Sequence, residues 1–441
     1  MTFPRIFQSG RTALLWLLCC ALPVSGLRAA AVPLAGIETD PHSKVDMRVT
    51  TAFKELTPTG FATLQIYVHN SSGQARSWLF HFDSSGGGED RYQSSRQITV
   101  PDNAEQTFEV LVPLLAGDSQ NFYSSLSINV SGYGLAGTSS SLSSNSSSGS
   151  TTDYLLMSTS LYTRSWGPLE KACSDRGTEL IGSEFDPNYL PTDWRGYLGV
   201  GTMLITDTEF HDLDPVLRNA IHEWVLQGGS LVICSTTQHQ PGDFGYHDEH
   251  PGYGHLKLVQ WDGRELDAGV AMPLILARDH SVAANVSNGY NTRWSLAGAI
   301  GKLQFNGTFI MLFVVCFGLV IGPMNLFRFA KSGQRHKLFW TTPAISIAGS
   351  IVLALVIYLQ DGLGGTGKRM TLVQLVTGEN DAIVTQEQIS RTGLLISSGF
   401  KTEDKVFISP IYNLPASTSA EWVGVKNQSR TYNQDGNSES G

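Results

Sequence analysis

Two long apolar runs separated by a short basic segment constrain this chain more than any other feature of its sequence. The first run, residues 308–327, carries no charged side chain and matches the roughly 20 residues that a helix needs to cross a hydrocarbon core about 30 Å thick. The second run, residues 338–359, is equally free of charge. The sequence therefore predicts a two-helix transmembrane hairpin.

The segment between the runs, residues 328–337, indicates how this hairpin is oriented. It contains the cationic or imidazole side chains Arg328, Lys331, Arg335, His336 and Lys337. Short loops rich in Lys and Arg mark the cytoplasmic side of a membrane. We therefore expect an inner or plasma membrane protein with two spans, whose other domains lie on the exported side.

The first 31 residues have the three-part plan of a secretory signal. Arg5 and Arg11 precede an apolar stretch over residues 13–24, and the small residues Ala29 and Ala31 follow it. We expect cleavage after Ala31. An uncleaved first membrane helix is the alternative, although the apolar stretch is short for a span, and both readings export the next domain.

The charge balance excludes one class of partner. The chain has 39 acidic and 30 basic residues, a net charge of −9, and we find no basic patch outside residues 328–337. Because nucleic-acid-binding surfaces are basic, we predict that nucleic acid is not a partner.

Residues 32–137 alternate apolar and polar side chains in short stretches separated by Gly, Asn, Ser and Pro. In residues 61–68 every even-numbered side chain is apolar, as expected for a strand packed on a core. Similar stretches recur at residues 78–82, 107–112 and 125–130. Several short strands at this spacing predict an immunoglobulin-like β-sandwich.

Two further segments are classified by composition. Residues 138–152 are nearly all Ser, Gly and Thr, which is typical of a flexible linker. Residues 368–441 contain strand-like stretches at 371–376, 393–396 and 405–409, and we expect an exported β-rich segment there.

Residues 153–303 change to a strand, helix, strand pattern. The clearest helix is capped by Asp214, starts with Pro215 and ends at the pair Gly228-Gly229. Apolar stretches at residues 197–206 and 230–234 flank it. Buried strands joined by a helix indicate an α/β domain with a parallel sheet.

The segments 199–207, 217–224 and 228–233 together resemble the core of class I glutamine amidotransferase-like domains, including the trehalose-utilisation branch. With residues 321–325 and the second apolar run, the chain is similar to uncharacterised bacterial envelope proteins that join such a flavodoxin-like domain to a membrane hairpin. The resemblance implies a longer C-terminal domain, which leaves truncation of residues 368–441 open.

Amidotransferase chemistry needs a cysteine on a Gly-x-Cys-x-Gly elbow, with a histidine and an acid in reach. Cys234 is a weak nucleophile candidate because its neighbours are Ile233 and Ser235 rather than glycines. In an oxidising compartment Cys173 and Cys234 either pair or stay as buried, unpaired thiols, and we favour the second alternative.

The loop 239–255 is rich in possible metal ligands. Its candidates for a zinc shell are His239, His247, His250 and His255, with Asp243, Asp248 and Glu249. The spacing matches no defined zinc motif, so solvated loop histidines are the competing interpretation. His239 is also a weak catalytic candidate.

A small-molecule site is expected at the carboxyl edge of the predicted parallel sheet, where ligands bind in open α/β folds. The residues placed there are Asp207, Glu209, Ser235 and Thr236. The competing interpretation is that Asp207 and Glu209 cap the turn that follows their strand.

These observations lead to two functional hypotheses. The first is a membrane-anchored envelope protein whose amidotransferase-like domain has lost its nucleophile and binds a ligand or other envelope or membrane proteins, with no cofactor. The second is a hydrolase or carbohydrate-active enzyme that uses the strand-end edge. A transporter component is the least favoured, because neither apolar run contains a charge.

Overall fold

The computed structural model describes residues 33–37, 39–85, 91–114, 123–135, 138–145, 154–275, 307–329, 335–361, 366–378, 381–391, 405–408, 430–433 and 437–440. The expected signal, residues 1–31, lies outside these ranges, as do residues 146–153 and 276–306.

The N-terminal part contains two β-sheets. The first has the order β1-β2-β3-β6, with β1 at Pro33–Gly36, β2 at Val45–Thr51, β3 at Gly60–Asn70 and β6 at Ala104–Leu114. The second has the order β17-β16-β5-β4-β7-β8, with β4 at Arg76–Ser85, β5 at Arg91–Val100, β7 at Tyr123–Gly132, β8 at Thr138–Asn145, β16 at Arg430–Asn433 and β17 at Asn437–Ser440. Neighbouring strands are antiparallel except β16 and β5, which are parallel.

One apolar core is shared by both sheets. The even-numbered residues of 61–68 are buried, as the alternation predicts, and they pack with Trp78, Phe80 and Val110. Burial of large apolar side chains such as these is the main favourable contribution to folding. The prediction of antiparallel β-structure in this part of the chain is confirmed.

The expected linker at residues 138–152 is wrong over its first half. Residues 138–145 form β8, which pairs with β7 in a register that places Leu142 opposite Leu126. Main-chain hydrogen bonds to a strand that is already present do not depend on side-chain type, so a Ser-rich segment can extend a sheet at its edge. Composition alone therefore misassigned this segment.

A parallel five-stranded sheet follows, as predicted. Its strands are β9 at Leu155–Ser158, β10 at Gly182–Phe185, β11 at Thr202–Thr206, β12 at Ser230–Ser235 and β13 at His255–Gln260, in the order β10-β9-β11-β12-β13. Its helices are α1 at Thr159–Ser174, α2 at Asp207–Asp212, α3 at Pro215–Leu226 and α4 at Ala268–Ile275. Numbered along the chain, this order is the 2-1-3-4-5 order of flavodoxin-like doubly wound sheets.

Both faces of the parallel sheet are buried. Along β12, Leu231 and Ile233 pack with α3 on one side, whereas Val232 and Cys234 pack with α1 and α4 on the other. The start of α3 agrees with the prediction, because Asp214 accepts a hydrogen bond from the Val216 amide at 2.8 Å and Pro215 takes the first helical position.

The N-terminal β-sheets and the α/β domain contact each other directly. Lys54 forms an ion pair with Glu184 at 3.0 Å, and the Tyr154 hydroxyl donates to the Glu55 carbonyl at 2.9 Å. Short 3₁₀ helices in the described ranges lie at Pro41–Ser43, Pro187–Tyr189, Trp194–Tyr197, Pro241–Phe244 and Arg335–Lys337.

The first apolar run is helical from Gly307 to Phe329. It consists of α5 at Gly307–Leu319, a π-helical segment at Val320–Met324 and α6 at Asn325–Phe329. Its segment Met311–Arg328 is the one helical stretch, among the described residues, that is long and apolar enough to cross a membrane. The second run lies in helix α7, Leu338–Asp361. The apolar segment of this helix, Leu338–Leu353, is shorter than Met311–Arg328. One membrane helix is thus supported by length and composition, and the second span stays a prediction.

After α7 the chain forms an antiparallel hairpin. Its strands are β14 at Thr366–Leu375 and β15 at Ala382–Arg391, and they pair along their full length. β16 and β17 lie on the N-terminal sheet instead, so residues 368–441 do not make one continuous sheet.

Candidate functional site

The carboxyl ends of β11 and β12 bring the predicted strand-end residues together. These strands are in parallel register, with Thr206 opposite Cys234, so the chain leaves both at the same edge of the sheet. Asp207 and Ser235 are the next residues along, and the Ser235 hydroxyl donates to Asp207 Oδ2 at 2.6 Å. The sequence predicted this pair to be neighbours, and the structure confirms that placement.

Asp207 is surrounded by hydrogen-bond donors. Burial raises the pKa of its carboxyl group, but hydrogen bonds from the Ser235 hydroxyl, the Thr208 amide and His239 outweigh burial and leave the pKa below the ordinary value of 3.8. His239 Nε2 lies 3.4 Å from Asp207 Oδ2. Asp207 is therefore ionised at neutral pH.

His239 lies at the centre of a second set of polar contacts. Its Nε2 atom is 2.8 Å from the Thr237 hydroxyl, and its Nδ1 atom is 3.2 Å from Asp243 Oδ2. Phe244 supports the ring edge-on, at 5.3 Å between ring centroids. An imidazole between a carboxylate on Nδ1 and a hydroxyl on Nε2 has the connectivity of a hydrolase relay.

Asp243 is held in its ionised form from two directions. The Gln240 amide donates to Asp243 Oδ2 at 2.9 Å, and this contact is the main reason that the carboxyl pKa is lowered. The contact with His239 lowers the pKa further. We call Asp207, Ser235, Thr237, His239 and Asp243 together the strand-end cluster.

Glu209 and Thr236 are not equivalent to these residues. Glu209 Oε2 accepts from the Thr206 amide at 3.1 Å and from the Thr206 hydroxyl at 2.8 Å, while the Glu209 amide donates back to that hydroxyl. This reciprocal capping box starts α2. The carboxylate of Glu209 thus has the capping role that was the alternative to ligand binding, and Thr236 is exposed beside the cluster.

Cys234 points away from the cluster, into the core between the sheet and α1. Its side chain is fully buried, and burial raises the thiol pKa to about 12, with smaller contributions from Glu209 and Asp207. Only a thiolate attacks as a nucleophile. The weak prediction that Cys234 is catalytic therefore finds no support in its geometry.

Cys173 belongs to the same apolar cluster as Cys234. Both thiols are free and buried, and Cys173 Sγ lies 3.6 Å from Met272 Sδ. The structure agrees with the interpretation of two unpaired buried thiols rather than a disulfide.

The loop histidines are divided among separate neighbours. His250 and His255 approach each other at 2.9 Å between their Nδ1 atoms, and His247 lies against Gly378 in the turn of the β14–β15 hairpin. No group of three or more His, Cys, Asp or Glu side chains in the described ranges is placed to hold a metal ion. The candidate zinc shell of residues 239–255 is thus not assembled among the described side chains.

The sequence did not predict the contact between His239 and Thr237. It also did not distinguish Asp243, which contacts His239, from the other acidic residues of the loop. A signal was present, because Ser235, Thr237 and His239 alternate at every second position after a strand and can share one side of an extended chain. The position of Asp243 depends on the 3₁₀ turn at Pro241–Phe244, and no periodic pattern in the sequence predicts this turn.

Comparison with known proteins does not extend these results. No protein family model and no curated protein matches the chain. Among solved structures, a structural genomics target named SoR45 is 12% identical over 24% of this chain and 84% of its own, with a TM-score of 0.16. R. palustris CsgH is 19% identical over 23% of this chain and 91% of its own, with a TM-score of 0.14.

A putative β-galactosidase from Bacteroides fragilis is 7% identical over 44% of this chain and 39% of its own, with a TM-score of 0.22. Likenesses of this size carry no argument about function, so the function has to be argued from the residues themselves.

Proposed function

We propose that this chain is a membrane-anchored envelope protein. In this proposal residues 308–327 and 338–359 form a two-span hairpin with its loop in the cytoplasm, and the exported amidotransferase-like domain binds a ligand or other envelope or membrane proteins without catalysis. The N-terminal sheets serve as an immunoglobulin-like spacer, and no cofactor is required.

Contacts between the two apolar helices support a hairpin. A Cβ atom built on Gly349 would lie 2.3 Å from the Phe317 ring, so the helices touch where glycine leaves room. Asn325 is fully buried, accepting from the Thr341 hydroxyl at 2.8 Å and donating to the Thr342 hydroxyl at 3.0 Å. A polar side chain in an apolar helix is accommodated when a neighbouring helix supplies its partners.

The observation that carries the proposal is the position of the chain after α7. Ile383 of β15 is 4% exposed and lies against Gly252 of the α/β domain, and Asp381 approaches His222 at 3.9 Å. Phe407 packs on Phe61, with 6.2 Å between ring centroids. Segments on both sides of the apolar runs thus contact one folded body, which requires an even number of membrane crossings between them.

The burial of Cys234 supports a binding role over amidotransferase chemistry. Cys234 is enclosed by the core and its thiol is protonated at neutral pH, and no glycine elbow is present beside it.

Topology can be tested with reporters fused at two positions in the full chain. Alkaline phosphatase, which is active outside the cytoplasm, should be inactive when fused after Gly333 and active when fused after Gly365. A fluorescent reporter that folds only in the cytoplasm should give the opposite pattern. Activity of the phosphatase at both positions, or at neither, would contradict the two-span hairpin.

The binding role is tested by crosslinking in native membranes. A defined complex with another envelope protein should persist in wild type and survive Cys234→Ala. Its absence, together with a measured hydrolase activity, would move the assignment to the second candidate.

The second candidate is a hydrolase or carbohydrate-active enzyme that uses the strand-end edge. The contacts of His239 with Asp243 and Thr237 favour an ester hydrolase within this class. In the neutral tautomer of His239 with its proton on Nδ1, that proton is donated to Asp243 and Nε2 makes no donation to Asp207. Nε2 can then accept the Thr237 hydroxyl proton while that oxygen attacks an acyl carbon. The proton then passes to the leaving alcohol, and water releases the acyl group from Thr237. The flanking Asp207 would stabilise positive charge on the imidazole during the transfer.

A fluorophosphonate probe tests this candidate, because it labels hydroxyl nucleophiles that are activated by a base. Labelling of wild type that is lost in Thr237→Ala and in His239→Gln, and kept in Thr236→Ala, would establish the hydrolase. No labelling of folded wild type would leave binding as the function.

A further inference from the structure

An apolar groove lies at the start of α7, next to the cytoplasmic loop. It has a volume of about 420 Å³ and is lined by Leu338, Phe339, Trp340, Thr342 and Pro343. Its size falls within the range of small-molecule pockets, roughly 300–1,000 Å³. The groove is open on one side, and Phe339 and Trp340 are 80% and 78% exposed there.

The groove is continuous with the contact between the two helices. Thr342 lines it and also accepts a hydrogen bond from Asn325 in α6. Arg328 follows Asn325 by about one helical turn, near 4.5 Å of rise, so its exposed side chain belongs to the same end of the helix pair.

Basic residues therefore border the apolar groove. Lys337 immediately precedes the lining residue Leu338, and both Lys337 and His336 are exposed. Acidic side chains are absent from residues 307–329 and 335–360, so the charge at this end of the helices is wholly positive. Trp at the membrane interface prefers the headgroup level, with its ring toward the acyl chains.

We propose that this groove is a binding site for one anionic phospholipid of the cytoplasmic leaflet. The phosphate lies between Arg328 and Lys337, and an acyl chain lies along Phe339, Trp340 and Pro343. Basic pockets between membrane helices on the cytoplasmic side suit acidic headgroups. The proposal rests on the two-span hairpin, because only that topology places the groove in the cytoplasmic leaflet.

Native mass spectrometry of the full chain, released from nanodiscs of mixed phosphatidylglycerol and phosphatidylcholine, tests the site. Wild type should retain one phosphatidylglycerol in preference to phosphatidylcholine. Arg328→Gln with Lys337→Gln should lower that preference by about fivefold for each charge removed. The matched control, Lys368→Gln with Arg369→Gln, removes two exposed charges beyond α7 and should leave the preference unchanged.

The apolar half of the site has its own pair of variants. Trp340→Ala should weaken retention of phosphatidylglycerol, whereas Phe327→Ala, which removes a 76% exposed aromatic ring outside the groove lining, should not.

Two outcomes distinguish failure of the lipid site from failure of the two-span hairpin on which it depends. Wild type that resists alkaline carbonate extraction but retains both lipids equally, or a double variant with undiminished preference, would overturn the lipid site alone. Wild type that carbonate removes from membranes would overturn the hairpin and the lipid site together.

Discussion

Asp207 is held in its ionised form by donors from three places in the chain: the Ser235 hydroxyl, the Thr208 amide and the His239 ring. A self-contained arrangement of this kind rigidifies the strand ends whether or not a ligand binds there, since each polar group already has a partner. The same contacts fix the His239 ring between two carboxylates. At the scale of single residues, the stability of the strand ends and the proposed ligand binding thus depend on the same atoms.

Asp207→Asn separates charge from shape at this position, because the amide keeps the side-chain oxygen that accepts from Ser235. A carboxyl group whose pKa is lowered by folding adds stability above its unfolded pKa, and this stability is lost as pH falls through the folded pKa. We expect Asp207→Asn to lower the free energy of unfolding by about 1 kcal/mol at pH 7. The difference should shrink below a pH of about 4.

The measurement is thermal unfolding of the detergent-solubilised full chain at several pH values, followed by tryptophan fluorescence. Asp212→Asn, which removes an exposed carboxylate at the end of α2, is the control for the general effect of losing one negative charge. A constant difference between wild type and Asp207→Asn from pH 3 to pH 7 would contradict the assignment.

Cys234 and Cys173 provide a second prediction at this scale. Both are buried in the core on one face of the parallel sheet, whereas Cys316 is exposed on the first apolar helix. A maleimide reagent should label the two buried thiols only after denaturation, because the reagent needs an accessible thiolate. Rapid labelling of Cys234 in the folded chain, measured by peptide mass spectrometry, would reopen its candidacy as a nucleophile.

At the scale of elements, periodic patterns were the reliable predictors. The alternation in residues 61–68 and the capped helix at Pro215–Leu226 both matched the structure because their burial repeats along the chain. The Ser-rich strand β8 was missed because its hydrogen bonds are made by the main chain and leave no trace in the side-chain pattern. The contact of His239 with Asp243 was missed for a related reason, since a short 3₁₀ turn sets it.

The helix pair offers a prediction at this scale. Gly349→Ala places a methyl group within van der Waals overlap of the Phe317 ring, and the built Cβ is 2.3 Å from the nearest ring carbon. Overpacking costs typically about 1–3 kcal/mol, so the helices should separate more readily in detergent. Gly318→Ala is the matched control on the first helix, because its built Cβ meets no atom within 4 Å apart from its chain neighbours and the nearby backbone of its own helix.

Thermal unfolding in detergent and protease cleavage in the 328–337 loop report on this pair. Phe317→Ala in the Gly349→Ala background should restore stability by removing the overlapping ring. Equal behaviour of Gly349→Ala and Gly318→Ala would show that the two apolar helices do not pack in this way.

At the scale of the whole molecule, the parts were predictable from the sequence and their contacts were not. Hydropathy located the apolar runs, and alternation located the sheets, because both are local properties. The packing of β15 on the α/β domain joins residues about 130 positions apart, and neither partner shows it alone. In the proposed topology, this return of the chain to the α/β domain requires an even number of membrane crossings between Gly252 and Ile383.

Cysteine crosslinking tests that return in the membrane. In a Cys316→Ser background, His222→Cys with Asp381→Cys should join through a short bismaleimide in intact spheroplasts, because the native side chains approach within 3.9 Å. The pair His222→Cys with Lys337→Cys is the control and should stay unlinked, since Lys337 lies in the loop assigned to the cytoplasm. The link is detected by cutting the chain with a protease between the two cysteines and running electrophoresis. Crosslinked protein keeps its full mass, whereas unlinked protein separates into two fragments. If the control pair joins and the first pair does not, the loop lies outside, and an odd number of crossings separates the α/β domain from β15.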